Sequence, residues 1–180
     1  MAIETEKKYR LTKEQYEEVS ASLKDFEADF ISDEFEVNEL YGGGILEAED
    51  AVLRLRKIDR KTILTYKRKI QTQFGIKQHT EHETEVADAE AMENIIKALG
   101  FELGMIYEKR RKTWRLQNVE IVLDELPFGL FMEIEGKISE IGLIEMMLEL
   151  EGYVVEYSTY PKLTFHLGIE KNGVIESRFK

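Results

Sequence analysis

The chain of 180 residues has no cysteine and only two prolines, Pro127 and Pro161. Without cysteine there can be no disulfide and no thiolate metal site, and nothing speaks against a reducing compartment. No tract rich in proline, glycine and serine offers a linker, so one domain over residues 1–180 is the simplest organisation. No apolar run approaches the roughly 18 residues of a membrane span, and the N-terminus lacks the apolar stretch of a secretion signal. A soluble cytoplasmic protein, with no membrane partner, is expected. Histidine is scarce as well, with three in all. His79 and His82, three apart on a strand, would face opposite sides and make a poor ligand pair. Basic residues are outnumbered: 25 Lys and Arg against 36 Asp and Glu leave a net charge of −11. A nucleic-acid partner gripped through its phosphates is therefore not expected. Gly42-Gly43-Gly44 is followed by no Lys-Ser or Lys-Thr, so it reads as a turn rather than a phosphate-gripping loop.

What the chain does have is alternation. Period-two patterns predict strands at 2–10, along F-I-S-D-E-F-E-V-N-E-L-Y, and in A-V-L-R-L-R-K and T-I-L-T-Y-K-R-K, a hairpin separated by I-D-R-K. K-Q-H-T-E-H-E-T-E-V continues the series. Three more runs follow, Phe101 to Arg115, Val119 to Glu125 and Leu130 to Lys137. Helices are predicted after Thr12, which forms a capping box with Gln15, and between Asp88 and Gly100. A last helix is predicted over Ser139 to Leu150. About eight strands joined mostly by hairpins, with about three helices, predict an α+β fold whose antiparallel sheet is curled or closed.

On almost every strand one face is apolar and the other ionic. Glu4, Glu6 and Lys8 share a face; so do Arg54 and Arg56, Thr65, Lys67 and Lys69, Glu83 and Glu85, and Lys109 and Arg111. Asp124 opposes Ile121 and Leu123, while Glu133 and Glu135 oppose Met132 and Ile134. A half-solvated sheet accounts for any one of these strands. Seven strands of this kind, most with charge of one sign repeated at i and i+2, suit a closed sheet with the charges inside. Unpaired charges cannot be buried in such numbers, so that interior must be wet and must balance acid against base or hold ions. Glu4, Glu6, Asp124, Glu133 and Glu135 could hold a hard cation, Mg2+ or Mn2+. Lys8, Arg54, Arg56, Lys67, Lys109 and Arg111 could hold an extended polyanion.

Together these residues resemble the CYTH family, the triphosphate tunnel metalloenzymes. E-x-E-x-K stands at Glu4, Glu6 and Lys8, L-R-L-R at Leu53 to Arg56, and L-T-Y-K at Leu64 to Lys67. E-x-E recurs at Glu83 and Glu85, K-x-R at Lys109 and Arg111, and the L-D-E…E-I-E ending at Leu123 to Glu125 and Glu133 to Glu135. The resemblance covers residues 2 to about 137 and extends faintly to 165. It implies an eight-stranded antiparallel closed barrel, a metal side and a phosphate side made of the residues just named, and Glu83 and Glu85 orienting the bases. With Lys8, those two acids are the candidate catalytic groups that orient the attacking water. Two points depart from the family: His79 stands where a basic residue is usual, and Lys162 in P-K-L-T-F is a short match to an element that would close over the tunnel.

The resemblance implies a metal-dependent enzyme acting on the phosphoanhydride chain of a small triphosphate. A triphosphatase acting on tripolyphosphate or thiamine triphosphate leads, followed by a class IV adenylate cyclase and a non-catalytic polyphosphate- or nucleotide-binding module. The partner is a small triphosphate or nucleotide, and a homodimer is compatible with the family. Lys7 falls on the apolar parity, outside the tunnel. Glu140, Glu145 and Glu149 are expected on a solvated helix face.

Overall fold

A computed structural model describes residues 2–59, 61–73 and 76–180. Eight strands form the body: β1 (Ala2–Leu11), β2 (Asp29–Gly42), β3 (Ala51–Ile58), β4 (Lys61–Gln73), β5 (Ile76–Val86), β6 (Glu102–Leu116), β7 (Val119–Leu126) and β8 (Gly129–Glu135). They pair antiparallel in the order β6-β2-β3-β4-β5-β1-β8-β7, and β7 pairs back with β6 to close the barrel. Closure satisfies every edge, which an open sheet of this size would leave exposed.

Around the barrel lie α1 (Lys13–Asp25), α2 (Ile45–Ala48), α3 (Ala89–Ala98), α4 (Ile138–Met147) and α5 (Tyr160–Leu167). Three short strands complete the chain: β9 (Val154–Val155), β10 (Ile169–Lys171) and β11 (Val174–Ser177). The α+β barrel agrees with the sequence expectation, but five helices among the described residues replace three, and the tail past Tyr153 forms short strands and a helix. One of its strands also breaks the antiparallel rule, because β11 lies parallel to β6 at Met105–Tyr107. The expected I-D-R-K connection is tighter than predicted, with Ile58 paired to Lys61; Arg60 lies outside the described residues.

The apolar faces point outward and are covered by helices. Thr12 and Gln15 form the expected reciprocal cap of α1, whose Val19 and Leu23 pack with Ile121, Leu123, Met132 and Ile134 of the barrel. Ile141 and Ile144 of α4 join the same cluster. Each such side chain stabilises by about 1.5–3 kcal/mol relative to exposure. Met92 and Ile96 of α3 cover Tyr41, Leu53, Leu55 and Leu64. Trp114 is buried in the first cluster, edge-on to Phe30 at 4.8 Å. No helix among the described residues is long and apolar enough to cross a membrane.

Lys7 lies outside the tunnel as expected, but Glu145 is not on a free solvated face. The Lys7 ammonium and the Tyr9 hydroxyl both donate to Glu145 Oε1, because α4 rests on the outer face of β1 and supplies the acid those groups need. Glu140 closes the first turn of α4, accepting from the Lys137 amide at 3.2 Å.

Candidate active site: an ionic tunnel

The inward faces of the eight strands enclose a cavity of about 630 Å³. Register explains who meets whom. Lys8 sits opposite Glu133 across β1 and β8, Arg54 opposite Thr65 across β3 and β4, and Arg111 opposite Asp124 across β6 and β7. Two electrostatic regions result.

The first is built around cations. Arg111 donates from Nε to Asp124 Oδ1 at 2.8 Å, and from Nη2 to Asp124 Oδ2 at 2.6 Å and Glu133 Oε2 at 2.7 Å. Lys8 Nζ lies 3.0 Å from Glu133 Oε1, and Arg56 donates to Glu83 Oε1 at 3.0 Å. Thr65 also donates to that oxygen, at 2.6 Å. At the centre stands Glu36, fully buried, with Oε2 3.2 Å from Lys109 Nζ. Burial alone would raise its pKa; Lys109, Arg111, Arg56 and Arg54 outweigh that and hold it at about 2. Burial and the neighbouring Arg111 lower the pKa of Lys109. Glu133 is held well below the carboxylate range against its burial by Lys8, Arg111 and Lys109.

The second region is built around acids. Lys67 contacts Glu4 directly, reaches Glu81 Oε2 at 3.1 Å, and lies 3.9 Å from Glu6. Lys77 at 3.7 Å from Glu6 and Arg54 at 3.8 Å from Glu81 add to its charge, and acids still outnumber bases once Glu120 and Glu135 are included. Burial, together with a hydrogen bond to Glu81, raises Glu4 to about 9 despite Lys67. Glu81, accepting that bond, is held at about 2 in spite of its own burial. Burial and the charges of Glu120 and Glu6 raise Glu135 to about 7. Among the described residues no three acids or histidines converge at ligand distance. Even so, hard oxygen donors exceed bases here, and Glu4, Glu6 and Glu135 could hold a divalent cation that would take the place of the protons on Glu4 and Glu135.

The expected residues are not all placed where the sequence put them. Asp124 and Glu133, assigned to the metal side, stand among the cations, since the barrel register sets them beside Arg111. Lys67, assigned to the phosphate side, stands among the acids. Glu85, expected beside Glu83, has a side chain 68% exposed and faces Lys61 at 3.9 Å. Lys162 is exposed, and its amide caps onto Thr159. His79 does face the cavity, where burial and the nearby Lys67 lower its pKa to about 4 and keep it neutral. The basic residue of β5 is Lys77, two positions earlier on the same face. It is 2% exposed, 3.7 Å from Glu6, and its pKa is lowered to about 8 by burial and by Lys8.

Four functional candidates escaped the sequence reading: Glu36, Lys77, Glu81 and Tyr160. Stepping back by two from Glu83 reaches Glu81, His79 and Lys77, so that stripe was readable. Glu36 and Asn38 form a shorter stripe on β2, where Asn38 donates to Glu36 Oε2 at 3.2 Å. For Tyr160 no sequence signal places a helix residue inside a barrel.

A closed eight-strand barrel whose interior carries a cationic wall and an acidic wall defines a class of tunnel protein. The CYTH domain model matches residues 2–150, and the chain belongs to the CYTH domain family. It is 31% identical over 135 residues to the Methanocaldococcus jannaschii protein named Putative adenylate cyclase MJ0240, covering 73% of this chain and 76% of that one. The solved PH1012 protein of Pyrococcus horikoshii OT3 is 27% identical, with a TM-score of 0.77 over 89% of this chain and 98% of its own. A Hippeastrum protein described as a putative adenylyl cyclase with a dominant triphosphatase activity shares the fold. It is 20% identical, with a TM-score of 0.72, covering 97% of this chain and 100% of its own.

Proposed function

We propose that the protein is a divalent-metal-dependent hydrolase of a small triphosphate. The observation that carries this reading is the division of one tunnel into a cationic wall and an acid-rich wall. Arg54, Arg56, Lys109, Arg111 and Lys8 would bind the phosphate oxygens, replacing part of their present pairing with Glu83, Glu36, Asp124 and Glu133. Those acids keep the basic side chains extended and aimed while the tunnel is empty of phosphate, so less ordering remains to be done on binding. Glu4, Glu6 and Glu135 would hold Mg2+ or Mn2+, which when bound supplies neutralisation of charge on the phosphoryl oxygens. Glu81 would accept a proton from a water in the acidic region.

A second reading is conversion of ATP to cyclic AMP and pyrophosphate. It is favoured by the name of the M. jannaschii relative. A further support is the apolar surface of Leu40, Val52 and Tyr107 lining the cavity beside Arg54, where a purine could lie.

The deciding experiment incubates the full chain with tripolyphosphate, thiamine triphosphate and ATP, each with Mg2+ and with Mn2+, and measures orthophosphate and cyclic AMP. Metal-dependent orthophosphate release supports the hydrolase. Cyclic AMP from ATP supports the cyclase. Binding without product leaves a polyphosphate-binding module.

A further inference from the structure

We propose that Tyr160 is a positioning residue for the phosphate-facing cations. This rests on the function proposed above. Tyr160 lies beyond residues 2–150, which carry the family match, yet it lines the cavity.

The segment is fastened to β1 step by step. β9 pairs with Tyr9 and Arg10, and the Glu156 amide donates to the Lys8 carbonyl at 2.8 Å. The Ser158 carbonyl then accepts from two buried ammonium groups, Lys8 and Lys77, each at 3.4 Å. These contacts bring Tyr160, the first residue of α5, over the tunnel.

There the side chain makes two kinds of contact. Its ring lies beneath Lys8 Nζ, 3.6 Å from the centroid. A cation over an aromatic face is held more strongly when both are desolvated, and Lys8 is 2% exposed. With Glu133 Oε1 at 3.0 Å and the Ser158 carbonyl at 3.4 Å on its other sides, the ring is the third contact that fixes the position of the ammonium. The hydroxyl donates to Asp124 Oδ2 at 2.7 Å, the same oxygen that faces Arg111 Nη2 at 2.6 Å. A neutral donor thereby satisfies part of the Asp124 charge, and Arg111 keeps capacity for phosphate oxygens. Tyr160 also packs against Phe131, with ring centroids 5.4 Å apart, and a purely apolar anchor would show that contact too.

The test compares the full chain with Tyr160→Phe, Tyr160→Leu and Leu163→Ala in steady-state hydrolysis of tripolyphosphate with Mg2+, alongside thermal melts. Leu163 shares the apolar cluster of Tyr160 but is not among the residues lining the cavity. Tyr160→Phe keeps the ring and is expected to lower kcat roughly tenfold with little change in KM, the size of one lost hydrogen bond to a charged group. Tyr160→Leu is expected to raise KM as well, by roughly fivefold or more, as the aromatic face is lost. Leu163→Ala should lower the melting temperature without that split. Wild-type kcat and KM in both Tyr160 variants, or the same split in Leu163→Ala, would overturn the inference while leaving the hydrolase reading intact. If the wild type turns nothing over, the hydrolase reading fails by itself. Calorimetric binding of tripolyphosphate then decides this one: an unchanged Kd in Tyr160→Leu, or no binding by the wild type, overturns it.

Discussion

Arg111 and Asp124 stand directly opposite each other on β6 and β7 and are joined by two parallel bonds, at 2.8 and 2.6 Å. The carboxylate is fully buried and the guanidinium has Glu133 on its other side. A planar fork can serve both acids at once, whereas a lysine offers one point of charge. Arg111→Lys should therefore leave the net charge unchanged and still weaken tripolyphosphate binding by tenfold or more, roughly the cost of a lost charged hydrogen bond. It should also destabilise the chain by about 1–3 kcal/mol, for the unsatisfied carboxylate oxygen. Calorimetry and urea unfolding measure the two effects, and wild-type values in both would remove the bidentate pair from the account.

Glu81 and Glu85 are four residues apart and share strand parity, but only Glu81 faces the acidic region with Lys67 and Glu4. Glu81→Gln should reduce metal-dependent turnover by about tenfold or more, as loss of a positioned acid does. Glu85→Gln, at an exposed site, should stay within about twofold of wild type, in line with surface substitutions elsewhere. Equal losses in the two variants would contradict the placement of this strand.

The two regions predict opposite pH behaviour. Glu36 falls from 4.5 to about 2, so it contributes about 3 kcal/mol that is present above pH 4.5 and is lost as pH falls towards 2. Glu135 and Glu4 are raised to about 7 and about 9. Their contribution is complete below pH 4.5 and is lost as pH rises through those values. His79 changes charge below pH 6.5, and Lys77 begins to do so near pH 8. Between pH 6.5 and 8.0 the acids dominate, and the metal-free melting temperature should fall. Millimolar Mg2+ should restore it at pH 8.0, since a ligand of the folded state adds stability by mass action. A metal-free melting temperature that rises over this interval, or no response to Mg2+ or Mn2+, would count against the acidic region as a cation site.

Gly168 joins α5 to β10. A Cβ there would meet the Thr164 carbonyl at 2.6 Å, Ile175 Cγ2 at 2.8 Å and the Glu176 carbonyl at 2.9 Å. Two of those atoms are backbone and cannot rotate away. Gly168→Ala should destabilise by about 1–3 kcal/mol, as overpacking does, and should loosen the β10–β11 hairpin first. Limited proteolysis over residues 169–177 is the measurement, and unchanged cleavage would refute the close packing.

Much of the barrel was readable because a strand has a fixed period. Once Leu55 or Ile121 is assigned outward, Arg54, Arg56 or Asp124 must turn inward. The extended tail was less legible: Val154–Val155 and Ile169–Lys171 are too short to show alternation. α5 carries no distinguishing stripe, and its docking on β6 and β11 makes it part of the tunnel. Glu145 was misjudged for a related reason, since a helix residue finds its partner on whichever strand the helix covers.

Local pattern by itself determined that one face of most strands turns inward, that acids and bases both do so, and which family the motifs belong to, because parity and spacing are properties of neighbouring residues. Tertiary structure alone decided that Asp124 and Glu133 serve cations while Lys67 serves acids, that Glu36 anchors the basic wall, and that Tyr160 reaches in from beyond the barrel strands. Those pairings are set by barrel register and helix docking between residues far apart in the chain, which short-range spacing does not encode.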